Sequence, residues 1–68
     1  MNITKEIKKI MVDDDITITQ LNDMLNNKNN TDYSPQNLSK KLNKDDIKFG
    51  DAEDILAVLG YEIKIIKK

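Results

Sequence analysis

Ser34-Pro35-Gln36-Asn37-Leu38-Ser39-Lys40-Lys41-Leu42-Asn43 opens with two helix-start signals in succession. Serine is favoured at a helix N-cap, and proline is favoured at the first helical position, where its missing N–H costs nothing. Leu38 and Leu42 follow at i, i+4 and share one face. The remaining positions, Gln36, Asn37, Ser39, Lys40, Lys41 and Asn43, are polar and rich in hydrogen-bonding groups. From Ser34 to Lys44 there are three lysines and no acid, although the whole chain carries a formal net charge of −1. The spacing therefore predicts a helix over 35–43 with two apolar anchors and a basic, acid-free outer surface.

Toward the N-terminus, Thr17-Ile18-Thr19-Gln20 is a capping box, with Thr at the cap and Gln three residues on. It predicts a short helix to about Asn26 that buries Leu21, Met24 and Leu25, with Ile16 as a staple onto Leu21. Ile3, Ile7, Ile10 and Met11 form an earlier helical stripe, capped by Asn2 or Thr4. Asp13-Asp14-Asp15 should end that helix, with Asp15 in a turn conformation that aspartate tolerates. The three acids read as a solvated turn, because a calcium loop needs spaced carbonyl and Glu ligands that this run lacks. Asn26–Tyr33 is polar and aperiodic and reads as a peripheral loop, with Tyr33 covering the core beneath it.

Toward the C-terminus, Lys44–Phe49 reads as a connector with Ile47 and Phe49 as inward plugs. Asp45-Asp46 should turn away from the basic helix or pair with Lys44 and Lys48. Gly50 or Asp51 starts another helix, whose stripe is Ala52, Ile55, Leu56 and Leu59 with Val58 beside it. Asp51, Glu53 and Asp54 suit its positive N-terminal end, and Gly60 its termination. Tyr61-Glu62-Ile63-Lys64-Ile65-Ile66 alternates and is β-branched, which predicts a strand over about 61–66. Tyr61, Ile63 and Ile65 would face a partner. The same strand of a second copy, the Asn-rich loop or the extreme N-terminus are the candidates.

Composition narrows the function. With 68 residues the chain makes one domain, 1–68, of marginal stability. It has neither cysteine nor histidine, so thiolate metal sites, disulfides and the common nucleophile–histidine pairs are absent. No enzyme activity, cofactor, metal or small-molecule substrate is expected. The apolar runs are far too short for a membrane span and the start is no secretory signal, so the default location is the cytoplasm.

The stretches Ile16-Thr17…Leu21…Leu25, Ser34–Leu42 and Ile55-Leu56-Ala57-Val58-Leu59-Gly60-Tyr61 occur in an order that resembles the lambda-repressor/Cro type of helix-turn-helix protein, the XRE group. The resemblance covers nearly the whole chain. It implies an all-α domain of four or five helices, here with a short C-terminal strand. The helix from Pro35 would lie in the major groove of double-stranded operator DNA, with the protein a nucleoid-associated homodimer and a repressor-type regulator. Gln36 and Lys40, with Asn37 and Ser39, fall where the family reads base edges. Thr17 and Asn43 fall where it grips phosphates, and Ser34, Lys41 and Lys44 are further phosphate candidates. The chemistry agrees, since Gln pairs with adenine and Lys donates to guanine. Two departures stand out: the loop before Ser34 is longer than the family's tight turn, and Ile18 occupies a place where the family often has a phosphate-gripping Gln. A protein-interaction module that has kept the fold and lost DNA binding is the alternative.

Overall fold

The computed structural model describes residues 2–44, 47–64 and 66–67. Among these residues four helices follow one another: α1 (Ile3–Asp13), α2 (Ile18–Asn29), α3 (Pro35–Leu42) and α4 (Phe49–Val58). The fold is all-α. α2 packs against both α3 and α4, and α1 packs against α4.

Local chemistry explains most of the boundaries. Asn2 caps α1, its side-chain oxygen accepting from the backbone N–H of Thr4 and Lys5 at 3.0 and 3.2 Å. The Thr17 hydroxyl accepts from Gln20 N–H at 3.1 Å, and the Gln20 side chain accepts from Thr17 N–H at 2.8 Å, which completes the expected box. α1 ends on Asp15 at φ 59°. Asp15 N–H then bonds Val12 O at 3.2 Å and Ile16 N–H bonds Met11 O at 2.8 Å, so the carbonyls left over at the helix end are satisfied. The same pair of bonds ends α4 around Gly60 at φ 93°: Gly60 N–H to Ala57 O and Tyr61 N–H to Leu56 O. A side chain at Gly60 would be strained by that φ, although the space beside it is open.

The core is one cluster: Ile7 and Met11 of α1, Leu21 of α2, Leu38 and Leu42 of α3, and Ala52, Ile55 and Leu56 of α4. α3 and most of α1 and α4 contribute their predicted stripes, but of Leu21, Met24 and Leu25 in α2 only Leu21 is buried. Ile16, Leu25, Ile47, Val58 and Leu59 pack on the rim. Met24 is half-buried.

Several expectations are corrected. α2 does not stop near Asn26 but runs a further turn to Asn29, ending on Asn30 in the left-handed region at φ 57°. The connection to α3 is therefore only residues 30–34. It is not peripheral either. Asn26 accepts from Tyr33 N–H at 3.0 Å and from the Thr31 hydroxyl at 2.9 Å, and its amide donates to Tyr33 O at 3.0 Å. The buried Asn22 donates to the same carbonyl at 2.8 Å. One face of α2 thus holds the backbone just before α3, while the Tyr33 ring stays in solvent instead of covering the core.

Phe49 is not a plug. It begins α4, one turn ahead of the first buried residue Ala52, and is 59% exposed. Thr4 does not cap α1 but is buried, its hydroxyl donating to Lys44 O at 3.2 Å. No strand forms among the described residues of 61–66. Tyr61 and Ile63 lie in irregular chain, and Ile65 falls outside the described residues. A strand needs a ladder for its N–H and C=O groups, and no other strand is present among the described residues to offer one. Ile63 instead packs on the core rim, and Tyr61 is exposed. Asp45 and Asp46 also fall outside the described residues.

Candidate functional site

Burying Leu38 and Leu42 fixes which way α3 faces. Gln36, Lys40 and Asn43 stand at i, i+4 and i+7 on the opposite side, and all three are exposed. They form a stripe about 10 Å long at 1.5 Å per residue. Asn37 is exposed beside it and Ser39 is half-buried on the other edge. Among the described residues, the side chains of Gln36, Asn37 and Lys40 make no hydrogen bond or ion pair, so their donors and acceptors remain open.

The two flanks of α3 differ. Along one runs a groove of about 420 Å³ with Asn37 and Lys41 of α3, Asn22 and Asn26 of α2, and Asp51 and Asp54 of α4 as polar lining over an apolar floor of Leu25, Leu38 and Ile55. Its charges are paired. Lys41 meets Asp51 at 3.6 Å, and Lys28 meets Asp54 at 2.9 Å. Asp54 also accepts from Asn29 at 3.1 Å. The hydrogen bond from Lys28, reinforced by its charge and by Asn29, holds the Asp54 carboxyl below the ordinary aspartate value. Along the other flank lies a groove of about 370 Å³, with Met11, Val12, Ile16, Ile18 and Leu42 as its apolar lining and Lys8, Ser39 and Asn43 as its polar lining.

The expected phosphate contacts separate into two groups. Thr17 is exposed at the start of α2. Its hydroxyl oxygen is engaged as a cap, which leaves the hydroxyl proton to donate outward. Asn43 and Lys44 are exposed at the end of α3. Lys41, by contrast, is turned into the polar groove toward Asp51, away from the stripe. Ser34 occupies the N-cap position in extended conformation, but its side chain makes no capping bond. The N–H it would take, that of Asn37, is bonded to the Ser34 carbonyl at 3.1 Å instead. Ile18, the departure noted in the sequence, is half-buried and lines the apolar groove.

Sequence reading missed two features. Asn22 and Asn26 are spaced i, i+4, which was a visible sign that both sit on one face; nothing local showed that they would grip Tyr33. Lys8 of α1 reaches Asn43, 35 residues away, with 3.5 Å from its ammonium to the amide oxygen. No family model, curated protein or solved structure matches the chain.

Proposed function

We propose that this protein binds double-stranded DNA sequence-specifically, with α2 and α3 as a helix-turn-helix of the lambda-repressor/Cro kind, and that it acts as a small repressor-type regulator in the cytoplasm. The observation that carries the reading is the stripe on α3. Gln36, Lys40 and Asn43 are exposed and acid-free, the first two with no side-chain partner among the described residues, on a helix whose opposite face is locked into the core by Leu38 and Leu42. A rigid helix presenting amide and ammonium groups fits the major groove, where Gln36 pairs with adenine and Lys40 with guanine. Asn37 and Ser39 flank them as secondary readers. Thr17, Asn43 and Lys44 supply phosphate contacts that set the register. The connection before α3 is five residues, shorter than the Asn26–Tyr33 loop expected from the sequence, which supports the reading.

Lys41 and Ser34 contribute less in this reading than the sequence suggested. Lys41 must leave Asp51 to reach a phosphate. The exposed N-terminal end of α3 still favours an anion. A homodimer completes the proposal. Tyr61 and Ile66, the latter 82% exposed, offer apolar surface for a second copy, which would set two α3 helices about one DNA turn, ~34 Å, apart.

The test is titration onto labelled DNA from the region upstream of the protein's own coding sequence, at several salt concentrations, with Gln36→Ala and Lys40→Ala alongside. The expected result is salt-sensitive binding, weakened by each substitution by about 1–3 kcal/mol and with relaxed discrimination between sequences. The protein-interaction reading draws on a different observation, the apolar groove beside Val12, which is 79% exposed. A folded protein that binds no DNA at low salt would favour it.

A further inference from the structure

The end of α3 is tied to α1 by two contacts one helical turn apart. Thr4, buried, donates to Lys44 O, and Lys8, exposed, donates to the Asn43 side-chain oxygen. The first contact fixes the height of α1 against the end of α3. The second brings an ammonium to the last member of the Gln36–Lys40–Asn43 stripe. Because Asn43 accepts from Lys8 through Oδ1, its Nδ2 hydrogens remain to donate elsewhere. Lys8 has two further N–H donors of its own. Lys44 adds a third cationic or amide donor group at the same end. Among the described residues no carboxylate lies within ion-pair distance of Lys8 or Lys44. The opposite flank is the reverse case, since both of its lysines are paired with acids.

We propose that Lys8 and Asn43 form a two-residue clamp for a backbone phosphate of the DNA at the C-terminal end of the stripe, with Lys8 supplying the charge and Asn43 the directed N–H. The inference rests on the DNA-binding reading and adds to it a residue from α1, outside the helix-turn-helix. A ligand lying along α3 passes from the reading positions Gln36 and Lys40 to Asn43, and there meets Lys8. Phosphate contacts carry no sequence information, so Lys8 sets affinity and orientation and leaves base choice to α3.

The experiment compares wild type, Lys8→Gln, Lys8→Arg and Lys9→Gln on two labelled duplexes, the upstream region and a scrambled sequence of equal length. Far-UV circular dichroism confirms that each variant is folded; Lys8 and Lys9 are both exposed, so it is expected to be unchanged. Loss of one phosphate contact should lower the slope of log K against log salt by about 0.9 and weaken binding about five- to tenfold near 0.1 M salt. Lys8→Gln should do this equally on both duplexes, while Lys8→Arg and Lys9→Gln should keep the wild-type slope. If Gln36→Ala weakens binding and Lys8→Gln leaves slope and affinity unchanged, the clamp is wrong and the DNA-binding reading stands. Equal losses in Lys8→Gln and Lys9→Gln would also overturn it, since general charge would then explain both. If wild type shows no salt-dependent binding to either duplex, both readings fall together.

Discussion

The two flanks of α3 hold the same helix by different physics. On one side amides and charges join the apolar contacts of Leu25, Leu38 and Ile55. Asn22 and Asn26 clasp the Tyr33 backbone just before the helix begins, and Lys41 pairs with Asp51 near its end. On the other side the contact is mainly apolar, with Leu42 set beside Met11, Ile16 and Ile18, and Lys8 reaching Asn43 adds a polar tie. Directional bonds settle where α3 starts; burial settles how it is rotated and keeps the stripe of Gln36, Lys40 and Asn43 in solvent. A face meant for recognition needs both, because a helix free to roll would present different side chains to its partner.

The contrast is open to attack from either flank. Leu42→Ala has the largest expected effect. It removes an almost fully buried side chain where three helices meet and should destabilise the domain by about 2–5 kcal/mol in chemical denaturation. A loss under ~1 kcal/mol would mean that the apolar flank does not anchor α3. Asn22→Ala comes next. It leaves the Tyr33 carbonyl with one donor fewer and buries no replacement, at a cost of about 1–3 kcal/mol. Amide hydrogen exchange should then show faster exchange in the first turn of α3 than in its last turn. Uniform acceleration through the domain would remove the distinction between the two ends.

Smaller effects sharpen the comparison. The Asp54 carboxyl is depressed in the folded protein, chiefly by the Lys28 hydrogen bond. Its contribution is therefore present above the ordinary aspartate value and is lost as the pH falls through the lower folded value. Asp54→Asn should flatten the acid end of a stability-against-pH curve slightly and leave neutral pH within about 1 kcal/mol of wild type, because both groups are solvent-exposed. Steepening at the acid end would contradict the assignment. Val12→Ser is the mildest change. At 79% exposure Val12 should tolerate it within about 0.5 kcal/mol by thermal unfolding. A larger loss that grows with protein concentration would show that a second copy covers this side of the apolar groove.

How much of this was legible in the sequence depended on how far each signal had to reach. Thr17 and Gln20 are three residues apart and cap one another without help from the rest of the chain. Asp15 and Gly60 ended their helices as read, since a left-handed residue is a local event. The inward side of α3 was legible because Leu38 and Leu42 are its only large apolar residues. The Asn-rich segment was not, because asparagine serves a helix, a cap or a turn equally well. Its helical part is secured by groups beyond the segment: Lys28 and Asn29 both reach Asp54, about 25 residues on. Residues 61–66 have a strand's alternation, yet alternation supplies no ladder. Phe49 was misplaced because a connector and a first helical turn look alike before the helix start is known.

Of the candidate site, Gln36, Lys40 and Asn43 came from the resemblance, with residue chemistry in agreement, and their common exposure followed from the helix period. Lys8 did not. The sequence by itself determined an all-α domain, where most of its helices begin, and most of the leucines and isoleucines that enter the core, because those outcomes rest on bonds within one turn and on the burial of periodic apolar side chains. Only the tertiary structure decided which lysines stay open and which are paired, and which end of α3 receives help from α1. Those outcomes depend on side chains 10 to 35 residues apart meeting at 2.9 to 3.6 Å. Such meetings are consequences of how the helices pack, and no local pattern encodes them.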